Sequence, residues 1–272
     1  MASRSLSFYI LGGFFILFVI FLYGPILTIG ILSFQGPQGG LTFPMNGLSF
    51  YWFRDLFEQQ AVGDIWGSFR RSLILGLAVM ITTVVVSVLG GLAFRKRFKG
   101  STILFYLTVT SLVIPSILVS LGVGLMFDQL GFTVHWSSSG FGAQLTWTLP
   151  FGLLIMFAVF NRFDKSYEEA ARDLGATQWQ TIREVVLPII APSIVGIGLF
   201  GFTLSYDELA RSSQVMGATN TLPLELRGLT TTVTTPIIYA LGTITTLFSF
   251  VVIGTFFLIF WLLSRSRSKV LR

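Results

Sequence analysis

The sequence predicts an all-α membrane protein with six transmembrane helices and both termini on the cytoplasmic side. Three observations carry this expectation: an apolar composition, six apolar segments of spanning length, and basic residues concentrated in alternate connections. Hydrophobic residues make up 53% of the 272 positions, charged residues only 11%, and mean hydropathy is +0.79. A soluble domain carries about 25% charged residues, so the solvent of this chain is a bilayer. About 20 apolar residues at 1.5 Å per residue cross a hydrocarbon core ~30 Å thick, which divides the length into six spans and their connections. The whole of 1–272 reads as a single transmembrane domain.

The first span covers about 8–33 and is interrupted by Gly24-Pro25. It exceeds the 7 to 15 apolar residues, roughly, of a cleavable signal peptide, so it is expected to stay in the mature protein. The connection that follows turns aromatic and amphipathic through Phe50-Tyr51-Trp52-Phe53 and Leu56-Phe57, which suits an interfacial helix at headgroup level. A second span, 72–93, stops at Arg95-Lys96-Arg97 and Lys99, and a third, 102–127 with Pro115 inside it, starts at once. The fourth, 140–160, contains Pro150; the fifth, 191–212, opens on Ala191-Pro192; the sixth covers 240–263. Proline is costly inside soluble helices, but in membranes neighbouring helices and Ser or Thr side chains can satisfy the carbonyl it frees. Pro25, Pro115 and Pro150 are therefore compatible with spans.

Sidedness follows from charge, because positively charged connections stay in the cytoplasm. With the N-terminus inside, the inner segments carry Arg4, the Arg95, Lys96, Arg97, Lys99 group, Arg162, Lys165, Arg172, Arg183, and Arg265, Arg267, Lys269, Arg272. That makes thirteen basic residues against five outside, namely Arg54, Arg70, Arg71, Arg211 and Arg227. Arg70 and Arg71 run against the trend locally. The same clustering at span ends argues against nucleic-acid binding, despite a net charge of +6.

Other classes lack their residues. The chain has no cysteine and one histidine, His135, so no metal site of the usual Cys/His kind is expected. Neither Gly-x-x-x-x-Gly-Lys-Ser/Thr, nor His-Glu-x-x-His, nor Gly-x-Ser-x-Gly occurs, so no catalytic residue is assigned and any ATP hydrolysis belongs to another chain. A gradient-driven channel or secondary transporter would show intramembrane charge or inverted repeats, and the spans show little of either.

The connection 161–190 is different: polar, acidic at its start, and helical in pattern. Ser166 stands three residues before Glu169, as in a capping box, which predicts a short helix. Gly175 offers a turn, and Gln178 to Val186 resumes helical spacing, with Leu187-Pro188 closing a second short helix. Such a hinged pair suits docking of another protein, with Ala170 and Ala171 small enough for close approach. An amphipathic connector lying on the membrane has the same spacing.

This segment carries a resemblance. Glu169-Ala170-Ala171, three residues, Gly175, nine residues, then Val185, any residue, Leu187-Pro188 is similar to the signature of permease subunits of binding-protein-dependent ABC importers, with Val185 in place of isoleucine. Phe202 to Glu208, Ser212-Ser213 and Thr221-Leu222-Pro223-Leu224 extend the likeness toward the spermidine/putrescine permease type. The resemblance implies a type I importer permease fold (MetI-like) in the bacterial inner membrane. It also implies a homologous permease partner in a heterodimer, two ATPase subunits that hold ATP and Mg, and an extracytoplasmic solute-binding protein. Glu169, Ala170, Ala171, Gly175, Val185, Leu187 and Pro188 would then couple to the ATPase, and this chain itself would bind no cofactor. A polyamine or related amine is the implied solute; an amino acid, an anion or a metal complex stays open.

Asp207 lies fifteen residues beyond Pro192, ~22 Å along a helix, near the outer side of the bilayer. Asp207 and Glu208 are candidates for drawing in a cation, with Phe202 and Tyr206 offering aromatic faces. Solvation of both carboxylates at the span end, with Arg211 as partner, is the plainer alternative.

Overall fold

The computed structural model describes residues 5–58, 63–96, 98–232 and 235–270, with side chains to 262 in the last stretch. Arg4, Arg97 and Arg272 lie outside the described residues, as do the side chains of Arg265, Arg267 and Lys269. Among the described residues there is no strand, only an isolated antiparallel bridge between Gln35 and Leu48. Eleven α-helices follow in order: α1 Leu6–Leu32, α2 Tyr51–Glu58, α3 Ile65–Phe94, α4 Ser101–Val113, α5 Ser116–Gln129, α6 Phe141–Asn161, α7 Ser166–Asp173, α8 Gln178–Gln180, α9 Leu187–Tyr206, α10 Leu222–Thr232 and α11 Ile237–Val270. Among the described residues five stretches are long and apolar enough to cross a bilayer, and a sixth is a helix pair bent by 109°.

The chain falls into two compact units. One joins 1–63 to 226–251. Its helix α1 is apolar all round and buries only Leu32, as expected of a span facing lipid on most sides. Pro25 lies inside it without ending it. The loop after α1 folds around Gln35, whose side chain donates to the Gly40 carbonyl and accepts from the Asn46 amide. The expected amphipathic helix is α2, which buries Trp52 and Leu56 while Trp52 Nε1 donates to the Gly36 carbonyl.

The other unit joins 64–225 to 252–272 and is built on α3, which packs against both α6 and α9. Small residues permit the close approach. A Cβ on Gly152 would lie 2.2 Å from Ser87 Oγ, and one on Gly91 would lie 2.8 Å from Met156 Cβ. This is the small-residue packing of membrane helices, where apolar transfer supplies no drive and contact does. Thr83 and Thr148 hydrogen-bond across the same seam at 2.7 Å.

The second and third spans depart from expectation. Helix α3 starts at Ile65, not 72, so Arg70 and Arg71 sit in its first turns. Arg71 is not a misplaced topology signal: it pairs with Asp64 at 2.9 Å and donates to the Asn220 carbonyl at 2.7 Å. The expected third span, 102–127, is broken. Ile114 takes extended angles (φ −69°, ψ 129°), as a residue before proline prefers, and the chain turns sharply between α4 and α5.

Two proline-freed carbonyls meet donors on other elements. Pro115 cannot serve the Ser111 carbonyl, and Arg211 Nη2 approaches that oxygen at 3.5 Å. Pro150 likewise cannot serve the Thr146 carbonyl, and Ser111 Oγ donates to it at 2.9 Å. Arg211 is fully buried; its Nη1 donates to Thr146 Oγ1 and its guanidinium lies 5.0 Å from the centre of the Trp147 ring.

If Ser111 replaces the donor that Pro150 withholds, Ser111→Ala costs about 1–3 kcal/mol, the penalty for orphaning a buried polar group. Pro150→Ala, which restores the intrahelical N–H, should reduce that loss in the double variant. Thermal denaturation of the four purified proteins measures the cycle; strictly additive losses would rule the replacement out.

Candidate coupling surface and solute path

The connection between α6 and α9 is shaped by its own polar side chains. Asp164 Oδ1 accepts the Ser166 amide at 2.9 Å. That bond, followed by one from the Ser166 side chain, holds the Asp164 carboxyl below the usual carboxylate range. The expected capping box of Ser166 and Glu169 is not formed: Ser166 is already the first helical residue, and Lys165 before it makes no side-chain cap. The box lies further on. Thr177 Oγ1 accepts the Gln180 amide at 3.3 Å and Gln180 Oε1 accepts the Thr177 amide at 2.8 Å.

Helix α7 presents two unlike faces. Glu168 is buried, and its carboxylate binds the Arg95 guanidinium and lies 3.5 Å from Arg172. Arg95 in turn lies 5.0 Å from the Phe160 ring centre and 5.2 Å from that of Phe163. The pair ties the connection to the end of α3. One residue on, about 100° around the helix, Glu169 is exposed, as is Ala170, while Ala171 is half-buried.

At Gly175 the backbone takes φ +86°, the left-handed turn that glycine adopts without strain, with its amide bonded to the Arg172 carbonyl at 2.8 Å. Around this turn Tyr167, Leu174 and Trp179 are 55%, 90% and 66% exposed. The second piece is not a separate short helix. Gln178 to Tyr206 runs on as one span through a wide π-helical stretch, Thr181–Val186, and Leu187-Pro188 does not close it. Pro188 withholds the donor that the Glu184 carbonyl would take, and the wider turn lies at that place. Val185 and Leu187 are half-buried, Val186 is fully buried and Pro188 is exposed.

The span ends at Tyr206, so 207–212 are a turn and not its last residues. Phe202 and Tyr206 stack at 5.5 Å with both rings buried, and Phe69 meets Tyr206 edge-on at 6.4 Å. Within this chain those aromatic faces are turned to its own packing. Asp207 caps α9 and is exposed. Glu208 is half-buried, and its carboxylate accepts the Arg211 amide at 2.8 Å. Sequence reasoning missed Gln144, which is buried on α6 and links Ser205 Oγ to Ser212 Oγ. An amide inside an otherwise apolar span was the available signal.

Comparisons with known proteins agree with this architecture. Residues 84–266, more than half of the chain, match the family described as binding-protein-dependent transport system inner membrane component. The chain is similar to the spermidine/putrescine transport system permease protein PotC of Haemophilus influenzae, 29% identical over 239 residues, covering 87% of this chain and 91% of that protein. It is also similar to the putrescine transport system permease protein PotI of Escherichia coli K12, 28% identical over 212 residues, covering 75% and 74%. Among solved structures it resembles a chain of a bacterial ABC transporter involved in the import of the acidic polysaccharide alginate, with TM-score 0.69 and 19% identity over 95% of this chain and 98% of that one. That last likeness speaks for the fold alone. The protein therefore belongs to the binding-protein-dependent transport system inner membrane components, and its fold is that of the ABC importer permeases.

Proposed function

We propose that the chain is one permease subunit of an ATP-driven importer that moves a polyamine or related amine from an extracytoplasmic solute-binding protein into the cytoplasm. The observation that carries this reading is the connection built on α7: exposed Tyr167, Leu174 and Trp179 around its turn, and a buried Glu168 to Arg95 anchor behind. Exposed apolar side chains gathered on a polar connection suit a docking partner. By resemblance that partner is one of two ATPase subunits holding ATP and Mg, and a second, homologous permease completes the path. ATP binding would draw the ATPases together and shift the population between two helix packings through contacts that differ between them. The amine rests on the likeness to spermidine/putrescine and putrescine permeases and on the exposed carboxylate of Asp207.

Uptake by the reconstituted importer, measured per ATP hydrolysed, tests the anchor. Glu168→Gln breaks a largely buried ion pair and should lower that ratio by roughly 5- to 150-fold, the range of a coupling free energy. The double reversal Arg95→Glu with Glu168→Arg should recover part of it. Gly175→Val, strained at φ +86°, and Glu169→Lys should uncouple hydrolysis from uptake while the chain still inserts. Unchanged ratios in these variants would remove the docking role. At the other end, Asp207→Asn with Glu208→Gln should raise the KM for a cationic solute about fivefold, the worth of one exposed charge contact. An unaltered KM would leave the two carboxylates merely solvated.

A further inference from the structure

Between the end of α3, the start of α4 and the end of α6 lies a cleft of about 610 Å³ to which neither the coupling surface nor the solute path assigns an occupant. Phe94, Phe105, Phe157 and Phe160 line it, all within the terminal turns of apolar helices. Arg95 and Lys165 line it too, and both stand just beyond helix ends. The polar part therefore lies at the membrane boundary and the aromatic part inside it. A neighbouring cleft of about 690 Å³ shares Arg95 and Lys165 and adds Lys96 and Arg172. Only Glu168 and Glu169 oppose these four cations among its lining residues, so the region keeps a positive excess. Helix α4 buries none of its residues, which leaves the aromatic cleft open along that side.

We propose that this cleft binds one anionic phospholipid, its phosphate between Arg95 and Lys165 and an acyl chain along Phe94, Phe105 and Phe157. Basic pockets between membrane helices on the cytoplasmic side hold such headgroups by charge, and the apolar wall holds the chain. Arg95 shares its charge with Glu168, so Lys165 supplies the uncompensated cation. A zwitterionic lipid brings its own ammonium and leaves that excess standing. A free phosphate leaves the aromatic wall uncovered. The site requires that these helices cross the bilayer; it does not depend on the identity of the solute or on ATP coupling.

The purified full chain, mixed in mild detergent with dioleoylphosphatidylglycerol or dioleoylphosphatidylcholine, is read by native mass spectrometry for retained lipid. One phosphatidylglycerol should stay bound and phosphatidylcholine should not. Lys165→Gln should weaken retention about fivefold, whereas Lys99→Gln, a charge on the α3–α4 hairpin that lines neither cleft, should change it less than about twofold. Glycerol phosphate in excess should leave the lipid in place. Equal retention of the two lipids, equal loss in the two variants, or displacement by glycerol phosphate would each overturn the site. So would loss of the lipid when the partner permease is assembled, which would show that protein covers the cleft.

Discussion

The structure depends on how proline-freed backbone is satisfied where water cannot reach. Every unpaired carbonyl in hydrocarbon costs several kcal/mol, so a span with an internal proline must borrow a donor from elsewhere. In the α3-centred unit the loans are linked. Ser111 lends its hydroxyl to the carbonyl that Pro150 frees in α6, and its own carbonyl, freed by Pro115, faces Arg211. Arg211 reaches that place only because α9 stops at Tyr206 and the chain turns back beneath it. Three segments distant in sequence are thus held by one chain of donors, and Asp207 is left at the exposed turn this creates.

The opposite end is organised by charge instead. Arg95 extends the helix at the centre of its unit, and its guanidinium holds Glu168 of α7 among the rings of Phe160 and Phe163. On the proposed reading, displacement of α7 would reach α3 through this ion pair. It would reach α9 through the packing of α7 against Thr181–Val186, which continues into that helix. Both receiving helices pack on each other across small residues that leave little room for slip, since a close-packed seam resists continuous deformation. A push at the exposed face has rigid bodies to move.

The spans were legible because apolar runs of the right length have one physical reading. The break at Pro115 was not, because Pro25 and Pro150 are the same residue in similar apolar runs and stay helical. What differs is whether the residue before proline is released to extended angles, and tertiary partners decide that. The docking segment was legible as a pattern but not in its register. Glu168 and Glu169 are equivalent in composition, and only the packing of α7 against the Thr181–Val186 turn separates the buried one from the exposed one. The capping box was misread for a related reason: Ser166 to Glu169 and Thr177 to Gln180 share the spacing, and Asp164 pre-empts the first by binding the Ser166 amide. Arg211 read as an outer-loop charge because one sequence does not reveal that a charged residue in a turn can be fully buried.

On the proposed reading, the outer turn sets a limit on what this chain contributes to a cation. A polyamine carries at least two ammonium groups, and each needs a carboxylate or an aromatic face to offset its desolvation. Of the acidic pair, Glu208 is engaged by the backbone of Arg211, whose buried positive charge lies close by, and Phe202 and Tyr206 are turned into the packing. Asp207 alone is freely presented. One carboxylate can attract a cation but does not specify a chain with charges at both ends; on that reading a second contact would come from the homologous permease. Selectivity for length would then arise from the distance between two carboxylates on two chains, a quantity that would change as the helices tilt. The same tilt that opens the path would mismatch that distance and release the solute.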